Sequence, residues 1–472
     1  MRMGTPAARW VLLATVLGSG MAFLDGTIVN VALPSIARDL DASLGDLQWV
    51  VNAYLVTLSA FVLLGGSLGD AHGRRRVFLI GVGLFTGASI ACGAAPTVGV
   101  LVAARAVQGL GAALLVPGSL SILSAVFHPD DRARAVGAWS GLGSIAGAIG
   151  PFLGGYLVDA VSWRAGFLVN VPMAAAVVYA SRHVPETRAE HEARLDGRGA
   201  LTASIGLALA TYGLIEQRLP VTVAGVAVLG VFLVVESRTA EPMLPLVLFR
   251  NRQFSGANGT TLAVYAALGG AFFLLVLELQ IVLGYSALEA GSALLPVTLL
   301  MLVLSARAGA LAQRIGPRIP MTIGPLGVAA GLVIWSRVDA GSTYVSSILP
   351  GALVFGLGLS LTVAPLTATI MASADEEHLG AASGVNNAVA RIAGLLAVAV
   401  LPALVGLDPS GPPADLDAGV DQALLVCAGL AVAGAVVSFA TIRTARRVAT
   451  PTQPIGAAHP CGDPCLEQPS AA

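Results

Sequence analysis

The chain has 472 residues, of which 56% are hydrophobic and only 11% are charged. Soluble domains carry about 25% charged residues, so this composition excludes a soluble globular protein. The formal net charge of -1 gives no general attraction to nucleic acid, and no nucleic-acid partner is predicted.

Apolar segments long enough to cross a bilayer follow one another along almost the whole chain. A spanning helix needs about 20 apolar residues, which predicts fourteen transmembrane helices and an all-α polytopic membrane protein. The predicted spans cover residues 10–33, 47–66, 77–96, 98–124, 134–158, 164–181, 199–216, 220–236, 256–282, 289–311, 319–336, 345–371, 380–405 and 422–442.

Arginines, the only strongly basic residues in the chain, are concentrated in alternate links. The run 74–76 and most other link arginines fall on one side, whereas the other side holds only Arg38, Arg164, Arg218 and Arg337. Links rich in arginine remain in the cytoplasm. Both termini are therefore predicted to be cytoplasmic, in a multi-pass protein of a bacterial inner membrane.

Two halves of the chain share short sequence repeats. The sequence GSLGDAHGRRR at 66–76 has a degenerate copy, GALAQRIGPR, at 309–318, and GLG at 109–111 has a copy at 356–358. Repeated halves with a site at their interface are typical of secondary transporters. The predicted organisation is two six-helix bundles (1–182 and 255–442), cytoplasmic links with two inserted spans (183–254) and a disordered cytoplasmic tail (443–472).

The four cysteines indicate no metal centre. Cys92 and Cys427 lie in apolar segments and are interpreted as buried packing residues, whereas Cys461 and Cys465 lie in the tail. The spacing of the tail pair would allow a small disulfide, but no third or fourth ligand lies nearby, so no metal site is predicted.

Two opposite charges are predicted at similar depth in the membrane. At 1.5 Å per residue, Arg105 lies about 10 Å and Asp25 about 8 Å from the same face of the bilayer core. An Asp–Arg pair that opens when the carboxylate is protonated would couple proton binding to movement. The alternative is a static ion pair that only holds the two helices together, although buried ion pairs are weak stabilisers.

Several other polar residues interrupt the apolar spans. Asn30, Asn52, Gln108 and Gln280 are candidates for the substrate cavity, or else for hydrogen bonds between helices. Gln108, one turn from Arg105, is also a candidate for orienting it. Glu278 is either a second titratable group that lines the cavity or a glutamate at the membrane surface. Arg391 is either functional or extends its charge to the surface.

Seven motifs in order resemble those of the major facilitator superfamily, and more narrowly its fourteen-span drug:proton antiporters. The resemblance covers residues 10–442. The motifs are LDGTIVNVALP at 24–34, GSLGDAHGRRR at 66–76, RAVQGLGAALLVP at 105–117, GPFLGG at 150–155, WRAGFLVNVP at 163–172, PLVLFRNRQF at 245–254 and LQIVLGYSALEAGSALLP at 279–296.

The resemblance implies a major facilitator fold and a role for each motif. Arg105 would take part in proton coupling, and Asp25 matches the acidic position of the first-span motif. The loop motif would gate the cytoplasmic face through Gly66, Asp70, Gly73 and Arg74. The motif of exporters, as opposed to importers, would comprise Gly147, Gly150, Pro151, Gly154 and Gly155.

The sequence departs from the family pattern at two places, which bear on the gate of the second half and on the charge of the substrate. Gln313 stands in the second-half loop where the first half has Asp70, which predicts a weaker gate there. The tenth span has no acidic residue in its interior, only Glu289 at its edge, which disfavours strongly dicationic substrates.

The predicted function is proton-coupled export of an amphipathic drug or antibiotic. The predicted partners are this small substrate, protons and the lipid bilayer, and the protein is expected to act as a monomer. No phosphate-binding loop for ATP is present, so no cofactor and no enzymatic activity are predicted. The alternatives are a proton-coupled uptake symporter for a small metabolite and a membrane sensor that transports nothing.

Overall fold

The computed structural model describes residues 1–188, 196–239, 242–339, 341–375, 379–407 and 413–443, and this part of the chain is helical. The predicted tail, with Cys461 and Cys465, lies outside the described residues. The first half contains seven helices: α1 (Pro6–Leu40), α2 (Leu44–His72), α3 (Arg74–Gly93), α4 (Val98–Val126), α5 (Pro129–Ala160), α6 (Trp163–Leu168) and α7 (Asn170–Ser181).

The rest of the described chain contains two inserted helices and a second helical group. The inserted helices are α8 (Gly197–Ile215) and α9 (Leu219–Arg238). The second group comprises α10 (Arg252–Leu277), α11 (Ala287–Ala293), α12 (Leu295–Ile315), α13 (Arg318–Trp335), α14 (Leu349–Ala372), α15 (Leu379–Leu404) and α16 (Pro413–Thr441). A π-helical turn, Glu278–Val282, follows α10.

The number of spans agrees with the sequence prediction. Thirteen described helices or helix pairs are long and apolar enough to cross a membrane, and α2 is the fourteenth if it counts as one span despite a 51° bend. The ends of the helices differ from the predicted ends of the spans, because each helix continues to its capping residue. For α1, the Thr5 side chain accepts from the backbone N–H of Ala8, and Asp41 ends the helix with φ of 50°.

Glycines at equivalent positions of the two halves allow the same close packing. A Cβ on Gly109 would lie 2.4 Å from the Tyr54 carbonyl oxygen of α2, and one on Gly111 would lie 2.5 Å from the Phe85 nitrogen of α3. In the second half, a Cβ on Gly358 of α14 would lie 2.4 Å from the Val328 nitrogen of α13. The GLG repeat is therefore a packing repeat, in which α4 and α14 approach their neighbours at backbone distance.

The inserted helices lie beside these groups. Helix α8 packs against α2, α9 and α15, and Leu207 shares an apolar cluster with Val56, Ala60 and Leu395. Large apolar side chains on α9 stay exposed, including Val223 (58%) and Val226 (59%). An exposed apolar surface of this kind is covered by lipid in a membrane protein.

We call the end that carries the α2–α3 link, with Arg74, Arg75 and Arg76, the arginine-rich end, and the opposite end the arginine-poor end. Helices α1 and α5 run from the arginine-rich end to the arginine-poor end. Helix α2 begins at the arginine-poor end, as does α11.

Candidate functional site: a buried charge network and a glycine interface

Helices α1 and α4 bring the two predicted charges into contact. Nη1 of Arg105 donates to Oδ2 of Asp25 at 2.5 Å, and the two side chains are 2% and 0% exposed. The structure therefore contains the ion pair that the depth estimate predicted. Its role in proton coupling stays a prediction, because a static contact has the same geometry.

Gln108 bridges the two charges. Its Nε2 donates to Oδ1 of Asp25 at 2.7 Å, and its Oε1 accepts from Nη1 of Arg105 at 2.8 Å. Its side chain is fully buried in this network. The predicted orienting contact is thus present, and the three-residue spacing on one helix accounts for it.

Sequence reasoning missed two polar members of the network, Asn170 and Ser89. Nδ2 of Asn170, on α7, donates to Oδ1 of Asp25 at 3.3 Å and to Oγ of Ser89 at 2.9 Å. Ser89, on α3, also accepts from Nε2 of Gln108 at 3.2 Å. Asn170 could have been found as an amide in an apolar span, whereas a serine in such a span carries little signal.

Helix α2 supplies two further contacts to Arg105. Its Nε donates to the Val50 carbonyl oxygen at 3.0 Å, and the guanidinium lies 4.3 Å from the centre of the Tyr54 ring. Five helices of the first half therefore surround one carboxylate and one guanidinium. A buried charge that loses its partner costs about 3–5 kcal/mol, so each of the two charges requires the other in order to stay buried.

The exporter-type glycine motif on α5 contacts two different helices. A Cβ on Gly150 would lie 1.9 Å from Oγ1 of Thr27, and one on Gly154 would lie 3.0 Å from Cα of Ile28. Both positions face α1, one turn or less beyond Asp25. Gly147 faces α1 as well, but at an ordinary distance of 3.9 Å from Cβ of Phe23.

The other part of the motif contacts the second half of the chain. A Cβ on Gly155 would lie 2.4 Å from the Ala287 carbonyl oxygen of α11. Conversely, a Cβ on Gly291 would lie 2.1 Å from the Pro151 carbonyl oxygen. Helix α5 is therefore packed at backbone distance against α1 on one face and α11 on another.

Three side chains make hydrogen bonds between the two halves, within the described residues, and all three lie toward the arginine-poor end. Gln280, a predicted cavity residue, donates to the Val31 carbonyl oxygen at 2.9 Å. Gln48 donates to the Val398 carbonyl oxygen at 2.6 Å. Asp159, which sequence reasoning missed, accepts from the backbone N–H groups of Ala287 (3.2 Å) and Leu288 (2.8 Å). These contacts hold the two halves together at this end.

A cleft of about 1200 Å³ lies at the arginine-poor end, beside these contacts. Both halves and the link after α10 line it, and its wall includes Ala37, Leu44, Gln280, Tyr285 and Leu407. Gln280 is thus both a lining residue and a bridge between the halves.

The predicted gate lies at the arginine-rich end. Oδ1 of Asp70 accepts from Nε of Arg74 at 2.7 Å, with both side chains partly exposed. Gly73 has φ of 106°, which accounts for a glycine between the two helices. The closest helix approach beside this motif falls to Gly65, whose Cβ would lie 2.0 Å from the Ala113 carbonyl oxygen. The gating role of Gly66 stays a prediction.

Glu186 is a further residue of this end that the sequence did not single out. Its carboxylate accepts from the backbone N–H groups of Arg75 (3.0 Å) and Arg76 (3.1 Å). A carboxylate at a helix N-terminus satisfies N–H groups that have no partner within the helix. Glu186 thus connects the segment after α7 to the start of α3.

The remaining predicted residues lie apart from the network. Asn30 donates to the Gly26 carbonyl oxygen of its own helix at 3.3 Å. Asn52 is buried, and neither atom of its amide has a partner among the described residues. Glu278 is 1% exposed, so its interpretation as a surface glutamate is wrong. It begins the π-helical turn, against which α16 packs.

Comparisons with known proteins agree with this architecture. The family model described as Major Facilitator Superfamily matches residues 15–398. The chain is 37% identical over 401 residues to the Multidrug resistance protein Stp of Mycobacterium tuberculosis (strain CDC 1551 / Oshkosh), covering 83% of this chain and 74% of that protein. It is 37% identical over 408 residues to the Tetracenomycin C resistance and export protein of Streptomyces glaucescens, covering 84% of this chain and 75% of that protein.

A solved structure shows a similar fold. It is the bacterial homologue of the human lysosomal transporter Spinster in an inward-facing and occupied conformation, with a TM-score of 0.71 and 14% identity. The similarity covers 93% of this chain and 97% of that one. At this identity the comparison supports the fold alone.

Proposed function

Because the chain belongs to the Major Facilitator Superfamily, we propose that it is a proton-coupled secondary exporter of amphipathic drugs or antibiotics. The observation that carries the proposal is the buried Asp25–Arg105–Gln108 network beside the glycines of α5. The printed names of its relatives, multidrug resistance and tetracenomycin export, support the substrate class and the direction.

The proposed orientation places the arginine-rich end in the cytoplasm of a bacterium. The positive-inside rule supports this placement, and an even number of spans then puts both termini in the cytoplasm. The contacts of Gln48, Asp159 and Gln280 would close the periplasmic end. A substrate would enter from the cytoplasm or the inner leaflet in this conformation, and the protein would act as a monomer.

Proton binding would occur at Asp25. When a proton from the periplasm binds a carboxylate oxygen, the ion pair with Arg105 is replaced by a contact between a cation and a neutral acid. Arg105 keeps two acceptors in that state, Oε1 of Gln108 and the Val50 carbonyl oxygen. The side chains on α1 beyond Asp25 pack against the α5 glycines, so a displacement of α1 is transmitted to the helix that contacts the second half.

The test is transport in a host without exporters of its own and in proteoliposomes. We expect cells with the parent protein to exclude ethidium and at least one antibiotic from a panel, and Asp25→Asn to abolish both exclusion and ethidium-driven proton movement. The matched control is Glu216→Gln, which makes the same change from acid to amide at an exposed position. Accumulation of the probes would support uptake instead, and unchanged proton movement in Asp25→Asn would refute the coupling role.

A further inference from the structure

Glu278 is a buried carboxylate that the proposed mechanism does not use. It is 1% exposed, and neither of its carboxylate oxygens has a hydrogen-bond donor among the described residues. It begins the π-helical turn that interrupts the end of α10, and π-turns often occur at functional sites. An ionised carboxylate in such a place costs free energy unless a ligand or a proton compensates it.

The side chain faces another carboxyl group. The Glu278 side chain interacts with that of Asp417 on α16, the helix that packs against the π-helical turn, and Oδ1 of Asp417 also has no donor in the described structure. Two ionised carboxylates cannot donate to each other, because each offers only acceptors. A single proton between them would turn this contact into a charge-assisted O–H···O⁻ hydrogen bond.

The charged groups around the pair are acidic as well. Asp421, one turn further along α16, faces Glu278, and Asp339 faces Asp421 from the link after α13. Glu289 of α11 is exposed and accepts from the backbone N–H of Ser286. No ion pair to Glu278 or Asp417 is present among the described residues. The local charge therefore attracts a cation, and two facing carboxyl groups can share a proton.

We propose that Glu278 and Asp417 form a second proton-binding site, which holds one proton between the two carboxyl groups. The site lies in the second half of the chain, between α10 and α16, and shares no hydrogen bond with the Asp25 network among the described residues. Asp417 is only partly buried and is the fifth residue of α16, which begins at the arginine-poor end. A proton thus enters from the water at that end, binds a carboxylate oxygen and returns to the same water on release.

Infrared difference spectroscopy of the purified full-length chain tests this site without any transported substrate. A protonated carboxylic acid has its own carbonyl stretching band, separate from the bands of an ionised carboxylate. We expect a pH change to reveal such a band in the parent protein. Glu278→Gln and Asp417→Asn should each remove it, because either amide can donate to the remaining carboxylate and keep it ionised.

Controls separate this result from misfolding and from the Asp25 site. Glu278→Asp should retain a protonated band, shifted in position, and exposed Glu216→Gln should leave the spectrum unchanged. Asp25→Asn alone should retain the band, and adding Glu278→Gln to Asp25→Asn should remove it. A band that survives both Glu278→Gln and Asp417→Asn, or that disappears only with Asp25→Asn, would overturn the proposal. The readout needs no export, so a failure of the transport function would not produce either result.

Discussion

Gly155→Ala should open the interface between the two halves at the arginine-poor end. The added Cβ would lie 2.4 Å from the Ala287 carbonyl oxygen, whereas real Cβ contacts are essentially never under 3.0 Å, so the backbones must separate by at least about 0.6 Å. Neither partner is a flexible side chain. Overpacking of this kind costs about 1–3 kcal/mol, and the cost falls only on the conformation in which α5 and α11 touch.

This cost predicts a shift in population. About 1–3 kcal/mol corresponds to a change of about 5- to 150-fold in the equilibrium between open and closed forms. Gly141→Ala is the matched control, since it lies on the same helix with nothing within 4 Å of its added Cβ. Both substitutions raise helix propensity by a similar amount, so that contribution cancels between them.

A distance measurement across the arginine-poor end would detect the shift. Val161 (71% exposed) and Leu404 (62% exposed) can carry spin labels on Cys substitutions, with Cys461 and Cys465 replaced by Ser. Electron double resonance should show a longer distance gaining population in Gly155→Ala and not in Gly141→Ala. Identical distance distributions in the two variants, together with intact efflux, would refute the idea that this contact closes the protein.

Two further substitutions test the polar contacts at the two ends. Asp159→Asn removes the charge facing the first N–H groups of α11, and such an exposed interaction is screened by salt. The same labels should show a shift of about two- to fivefold toward the open form at low salt, smaller at high salt, and a salt-independent shift would contradict the electrostatic explanation. Glu186→Ala removes the acceptor for two N–H groups at the start of α3, which should lower the thermal midpoint by about 2 °C relative to exposed Glu216→Ala. Equal midpoints for these two variants would show that the capping contact contributes nothing.

The contact between Asp25 and Arg105 could be predicted from the sequence. The depth of a residue follows from its position along a helix of known rise, which was enough to predict that Asp25 meets Arg105. The same reasoning placed Glu278 near the membrane boundary but could not say what covers it. Its burial depends on α16, which packs against the π-turn and is distant from Glu278 in sequence.

The sequence by itself determined the number and approximate position of the spans, the recurrence of GLG in the two halves and the cost of two charges inside the membrane. These properties depend on hydrophobicity, helix rise and short-range spacing, which a linear chain displays directly. Only the tertiary structure decided that Asn170 and Ser89 complete the Asp25 site, that Gly150 and Gly155 serve different interfaces, and that Glu278 faces Asp417. Those contacts depend on how each helix is rotated about its axis and on which helix it crosses. The same set of spans is compatible with other rotations and crossings, so the pattern of spans does not determine these contacts.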